Sequence, residues 1–176
     1  MAVDSQELEK VHRRHELFFS VALTVQYRGT ASIDLNPADI SLQFVKHFKT
    51  VQTAVDPDGF AQKVQNDADA LDHEIGREIQ KHPEEKQAKQ SAMQTFQKET
   101  AELLEFLSAD TLKPTRLDSG NREANGWVLF STDSKWIGAW KKQEQFILRV
   151  PIEGKVFEFP FKLPPKEGEL LLRQRE

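Results

Sequence analysis

The sequence contains no cysteine. That removes disulfides, thiolate metal sites and cysteine nucleophiles together, and it leaves the fold to be held by its hydrophobic core. There is no basic excess either: 24 Lys and Arg stand against 28 Asp and Glu, a formal net charge of −4, so nucleic acid is not an expected partner. No apolar run approaches the roughly 20 residues that cross a bilayer as a helix. The opening MAVDSQELEKVHRRH has no apolar stretch of the kind an export signal requires. Also missing are GxGxxG, P-loop, HExxH and GxSxG runs, so the common motif-borne mechanisms have no foothold. Ser, His and Asp all occur, but no spacing singles out a triad.

What is present suffices for a core. Hydrophobic residues make up 38% of the 176, with 12 Phe among them, which fits one domain, or one domain with a sizeable insertion. Charged residues at 30% and a mean hydropathy of −0.59 imply much exposed surface for this length, as a protruding pair of helices would give.

The cleanest pattern is the alternation over Leu17–Tyr27. Leu17, Phe19, Val21, Leu23, Val25 and Tyr27 fall on one side of an extended strand and Ser20, Thr24 and Gln26 on the other. Arg28-Gly29-Thr30 reads as a turn, Ile33 and Leu35 resume the alternation, and Asn36-Pro37-Ala38-Asp39 is a second turn. Ile40, Leu42 and Phe44 form the apolar side of the next strand, and the β-branched residues over 50–55 suggest a short returning one.

From Asp56 the period changes. Asp56 before Pro57 is a helix N-cap, and Phe60, Val64, Ala68, Leu71, Ile75 and Ile79 step along one helix face. Lys81 and His82 suit the carboxyl end; Pro83 stops this helix and opens a second. Met93, Phe96, Thr100, Leu103 and Leu107 then follow the seam of a coiled coil. So short a link makes the pair antiparallel, setting Leu71 near Phe96 and Val64 near Leu103, with Gly76 letting the backbones approach near the tip.

Residues 111–125 read as connecting chain, with strand character returning over 126–130 and again over 146–150. Glu153-Gly154 is a tight hairpin turn. Beyond it Phe157, Phe159 and Phe161 share one face, and Pro160, which has no amide hydrogen, places that strand at a sheet edge or near its own end.

Few residues invite a chemical role. His12 and His15 stand a helical turn apart, but Arg13 and Arg14 would repel a metal and no third ligand is near, so they read as surface histidines. Asp67, Asp69 and Asp72 lack the glycine turn and terminal Glu of a calcium loop and read as a solvated helix face. Trp136 and Trp140, followed by Lys141 and Lys142, are the candidate contact residues. Exposed, they could stack on a sugar or anchor a protein; the plainer reading is that they cap one end of the core.

Four stretches, FFSVALTVQYRG, LNPADISLQF, SGNREANGWVLF and QFILRVPIEGKVFEFPF, resemble uncharacterised bacterial extracytoplasmic domains with an immunoglobulin-like β-sandwich. The resemblance implies a two-sheet sandwich attached to exported proteins or lipoproteins, with no established activity. The chain departs from that pattern in showing no export signal or lipobox cysteine and in carrying a long helical stretch. The expected fold is therefore α+β: an immunoglobulin-like antiparallel β-sandwich from 1–55 and 111–165, an inserted antiparallel two-helix hairpin (about 57–108) within 56–110, and a tail at 166–176. The expected role is a non-enzymatic extracytoplasmic interaction module (periplasmic, secreted or lipoprotein-anchored; the alternative is cytoplasmic). Its helical hairpin would contact an unknown protein partner or a second copy, with no cofactor, metal or nucleic acid. A carbohydrate-binding module using Trp136 and Trp140 is the alternative, and an enzyme with a site between hairpin and sandwich comes third.

Overall fold

The computed structural model describes residues 18–46, 50–131 and 143–163. In chain order the elements are β1 (Phe18–Gln26), β2 (Ile33–Leu35), β3 (Ser41–Phe44), β4 (Val51–Thr53), α1 (Pro57–Lys81), α2 (Lys86–Ala109), β5 (Thr115–Leu117), β6 (Glu123–Ser131), β7 (Glu144–Ile152) and β8 (Lys155–Leu163), with 3-10 turns at Pro37–Asp39 and Pro83–Glu85. The class is α+β. The chain divides into two compact units, the strands up to Val55 and from Thr111 on forming one, and Asp56–Asp110 the other.

The strands make three antiparallel sheets, none of them closed: β1 with β6, β2 with β5, and a four-stranded sheet in the order β4-β3-β7-β8. Alternation decides which side chains go inward. Val21 and Leu23 of β1, Ile33 and Leu35 of β2, Leu42 and Phe44 of β3, Val128 and Phe130 of β6, and Phe146, Leu148 and Val150 of β7 all enter one hydrophobic core. Phe146 stands at its centre, edge-on to Phe44 with ring centroids 5.2 Å apart and stacked on Phe161 at 5.3 Å. Such pairs add about 0.5–1.5 kcal/mol to the burial of the rings themselves.

The structure goes beyond the alternation in two places. β6 begins at Glu123, and β5 lies within the stretch that reads as connecting chain; Thr115–Leu117 is too short for a pattern and is fixed by pairing with Ile33–Leu35. Ser20, on the side of β1 that reads as wet, is buried together with its cross-strand neighbour Leu129.

Gly126 has φ +156, and a Cβ there would lie 2.5 Å from the Leu112 nitrogen and 2.8 Å from the Thr111 carbonyl carbon. Backbone therefore passes directly over this position, held by the Leu112 N–H donating to the Trp127 carbonyl at 2.9 Å. Two positions along the same edge, the Val55 N–H donates to the Leu129 carbonyl at 2.8 Å. The chain thus leaves the sheet unit at Val55 and re-enters at Thr111 at neighbouring points on β6.

In the helical unit, Asp56 caps α1 by accepting from the Asp58 and Gly59 N–H groups at 3.2 and 3.1 Å, with Pro57 in the first turn. Phe60 and Val64 of α1 and Met93, Thr100, Leu103 and Leu107 of α2 are buried. Leu71, Ile75, Ile79 and Phe96 are half-buried along the same seam. Pro83 opens a 3-10 turn rather than the second helix, which starts at Lys86. His82 before it sits at φ −128, ψ 73, outside the helical region as a residue preceding proline should, and the next residues reverse the chain. Gly76 serves no close approach: a Cβ there would meet nothing within 4 Å.

Candidate recognition groove

Trp136, Trp140, Lys141 and Lys142 lie outside the described residues, as do His12 and His15. Asp67, Asp69 and Asp72 lie on α1, where Asp69 accepts from the Gln65 side-chain amide at 2.9 Å. Among the described residues no group of three or more His, Asp or Glu could hold a metal ion.

The site that the geometry does build lies in the sheet unit. Phe157, Phe159 and Phe161 of β8 stand opposite Val150, Leu148 and Phe146 of β7 and so share the core-facing side. Their exposure nevertheless rises toward the hairpin turn, from 8% at Phe161 to 37% at Phe159 and 48% at Phe157, while Val150 beside Phe157 is only 2% exposed. Among the described residues, the facing layer therefore covers β7 along this length and stops before β8. It is one strand short, and the uncovered shelf is aromatic.

Above the shelf, Leu23, Thr24, Val25, Gln26 and Tyr27 of β1 and its turn form a wall, and Ile33, Val150 and Ile152 close the inner side. The resulting groove has a volume of about 410 Å³. Among the described residues its charged lining residues are Glu153 and Lys155 at the hairpin turn. That turn has φ +47 at Glu153 and +75 at Gly154, the two-residue geometry whose twist matches that of the strands it joins. The Tyr27 ring is fixed at the other end, its hydroxyl donating to the Ala31 carbonyl. Outside the groove, several carboxyl and amino groups titrate away from their ordinary values. On the helical unit, Glu78 is lowered chiefly by the hydrogen bond from Lys81, and Glu85 is lowered and Lys89 raised chiefly by their mutual hydrogen bond. In the loop before β6, Asp118 is lowered by the N–H groups of Asn121 and Gly120.

The wall is also a sheet edge. The Tyr27 N–H donates to the Arg122 carbonyl at 2.8 Å, and the β1–β6 register carries this alternation back along the strand, so residues 25, 23 and 21 also bond to β6. The N–H and C=O groups of Ala22, Thr24 and Gln26 then point the other way, where among the described residues no strand pairs with β1. The strand FFSVALTVQ has no charge, proline or glycine, none of the usual devices that blunt an exposed edge.

The other sheet is protected at both edges. β4 has three residues. In β8, the tight turn makes Ile152–Lys155 a mutually bonded pair. Pro160, an odd number of positions further along, therefore turns its missing donor outward.

The Phe157-Phe159-Phe161 row and the edge position marked by Pro160 are legible in the sequence, but the groove is not, because which inward face goes uncovered depends on the strand count of the opposing layer. The available signal was the uncharged length of β1. Among the described residues the exposed large hydrophobics are Val51, Val156, Phe157 and Phe159, none on the helices. No family model, curated protein or solved structure matches the chain.

Proposed function

We propose that the protein is a non-enzymatic interaction module, built on an extracytoplasmic immunoglobulin-like β-sandwich with an inserted helical hairpin, and that it holds its partner in the groove between β1 and β8. The observation that carries this reading is the half-exposed pair Phe157 and Phe159 on a core-facing side. Leaving two such rings in water forgoes a few kcal/mol of burial, and apolar surface gathered in a concavity marks a contact site more than a scattered side chain does. The sandwich and its location rest on the four sequence stretches named above, together with the single core shared by three antiparallel sheets. Contact through the hairpin has less support, since its outer faces offer no large exposed apolar side chain among the described residues.

A photo-crosslinking amino acid tests the reading in the native cell, placed at position 157 in the groove and, separately, at exposed Gln97 on α2. A discrete protein adduct from position 157 that is absent from position 97 is the expected result. Adducts from position 97 alone would move the contact to the helices.

A further inference from the structure

We infer that the open edge of β1 takes one extended segment of a partner polypeptide as an additional strand, with apolar side chains at alternate positions seated on Phe157 and Phe159. This rests on the reading of the groove as the contact site and adds the chemistry of the partner. Three observations select a polypeptide strand over other occupants.

The wall presents main-chain donors and acceptors at Ala22, Thr24 and Gln26 (the alternation set by the Tyr27–Arg122 bond). Another backbone in extended form matches such a row, one group after the next. The floor then supplies apolar contacts at the matching interval. Phe157 and Phe159 are two residues apart on one strand face, the spacing of about 6.8 Å at which same-side residues of an added strand recur. A segment lying in the plane of β1 would thus bond sideways and bury alternate side chains downward.

Width decides between a lone segment and a second sheet. Among the described residues the floor extends past the wall by a single strand, β8, which is the edge of its own sheet. A second copy joining β1 to β1 would bring its own β8 shelf into the same space, whereas an isolated segment fits. Charge limits the sequence: β1 is neutral, and the lining charges, Glu153 and Lys155, are of opposite sign and confined to the turn end. The segment is therefore uncharged over the length that faces Leu23–Tyr27.

The test uses the full chain and a synthetic peptide of about nine residues in which valine alternates with threonine between terminal lysines, a typical strand length with a modest excess. Two further forms carry N-methyl groups on every valine or on every threonine nitrogen. Because successive amides of a strand point to opposite edges, one methylated form should bind like the parent and the other should lose binding at least ten-fold. Thr24→Pro removes a donor from the open edge only, and should abolish binding while thermal unfolding stays within a few degrees. Phe157→Lys, at an already exposed position, should weaken binding at least ten-fold without affecting the fold, and it decides the matter if Thr24→Pro fails to fold.

Equal binding by both methylated peptides, or binding unchanged in both protein variants, overturns strand addition. So does preferential binding of dodecanoate with indifference to Thr24→Pro, which would make the occupant an acyl chain. Protection of the Ala22, Thr24 and Gln26 amides without peptide also overturns it: independent of protein concentration, a segment of the chain itself fills the edge; rising with concentration, a second copy does. If strand addition fails while crosslinking from position 157 persists, the groove remains the contact site and only the mode of binding is wrong.

Discussion

Position on the sheet, more than residue type, separates the phenylalanines. Phe146 is fully buried between Phe44 and Phe161, so Phe146→Ala leaves a cavity and should cost about 3–5 kcal/mol. Phe157, four residues from Phe161 on the same face, should cost under about 1 kcal/mol as Phe157→Ala, because its ring is already half in water. Chemical denaturation of both variants checks the contrast; equal losses would mean that the groove is closed in solution. At the hairpin turn Glu153 holds a positive φ of 47, a conformation that asparagine, whose short amide can hydrogen-bond the local backbone, tolerates better than glutamate, so Glu153→Asn should raise stability by about 0.5–1 kcal/mol. Asp118 accepts from the Gly120 and Asn121 N–H groups at 2.7 and 2.9 Å, which holds its carboxyl below the ordinary 3.8. The folded form thus favours the charged state: its contribution is present above the unfolded pKa and is lost as pH falls through the lower folded one. A carbon-detected NMR titration should place the Asp118 midpoint below 3.8, and Asp118→Asn should remove that part of the acid sensitivity.

Among the elements, those with a long period were legible and those made by pairing were not. β1 shows itself in Val21, Leu23 and Val25, and α1 in the Asp56-Pro57 start followed by Phe60 and Val64, because each rests on a local rule that needs no partner. β5 has three residues and exists because Ile33–Leu35 lies beside it; nothing in Thr115-Arg116-Leu117 alone announces a strand. Pro83 misleads for a related reason. Proline suits the first position of a helix, yet the tight reversal after His82 uses it in a 3-10 turn, and α2 begins only at Lys86. The groove belongs with the pairing-dependent features: Phe157 and Phe159 read as an inner face, and the missing strand above them has no signature in their own sequence. For α1 itself, Asp56→Ala removes the acceptor for two N–H groups and should cost about 1 kcal/mol, read as a lower unfolding midpoint.

At the scale of the molecule, the chain leaves and re-enters the sheet unit at adjacent points. Val55 and Thr111–Leu112 contact β6 at Leu129 and Trp127, two positions apart. Replacing residues 56–110 by a short Gly/Ser linker therefore closes only a small gap, at a loop-closure cost of a few kcal/mol or less. The sheet unit should fold alone, keeping its strand circular dichroism and a cooperative transition; loss of cooperativity would show that its core depends on the helices.

Recognition through the groove depends on β1 being paired along one edge and open along the other. Amide hydrogen exchange followed residue by residue in the full chain measures this directly. Val21, Leu23, Val25 and Tyr27 should exchange slowly and Ala22, Thr24 and Gln26 fast, an alternation along a single strand. Uniform slow exchange from Val21 to Tyr27 would contradict it, since both edges of β1 would then be occupied and the groove would not be open to a partner.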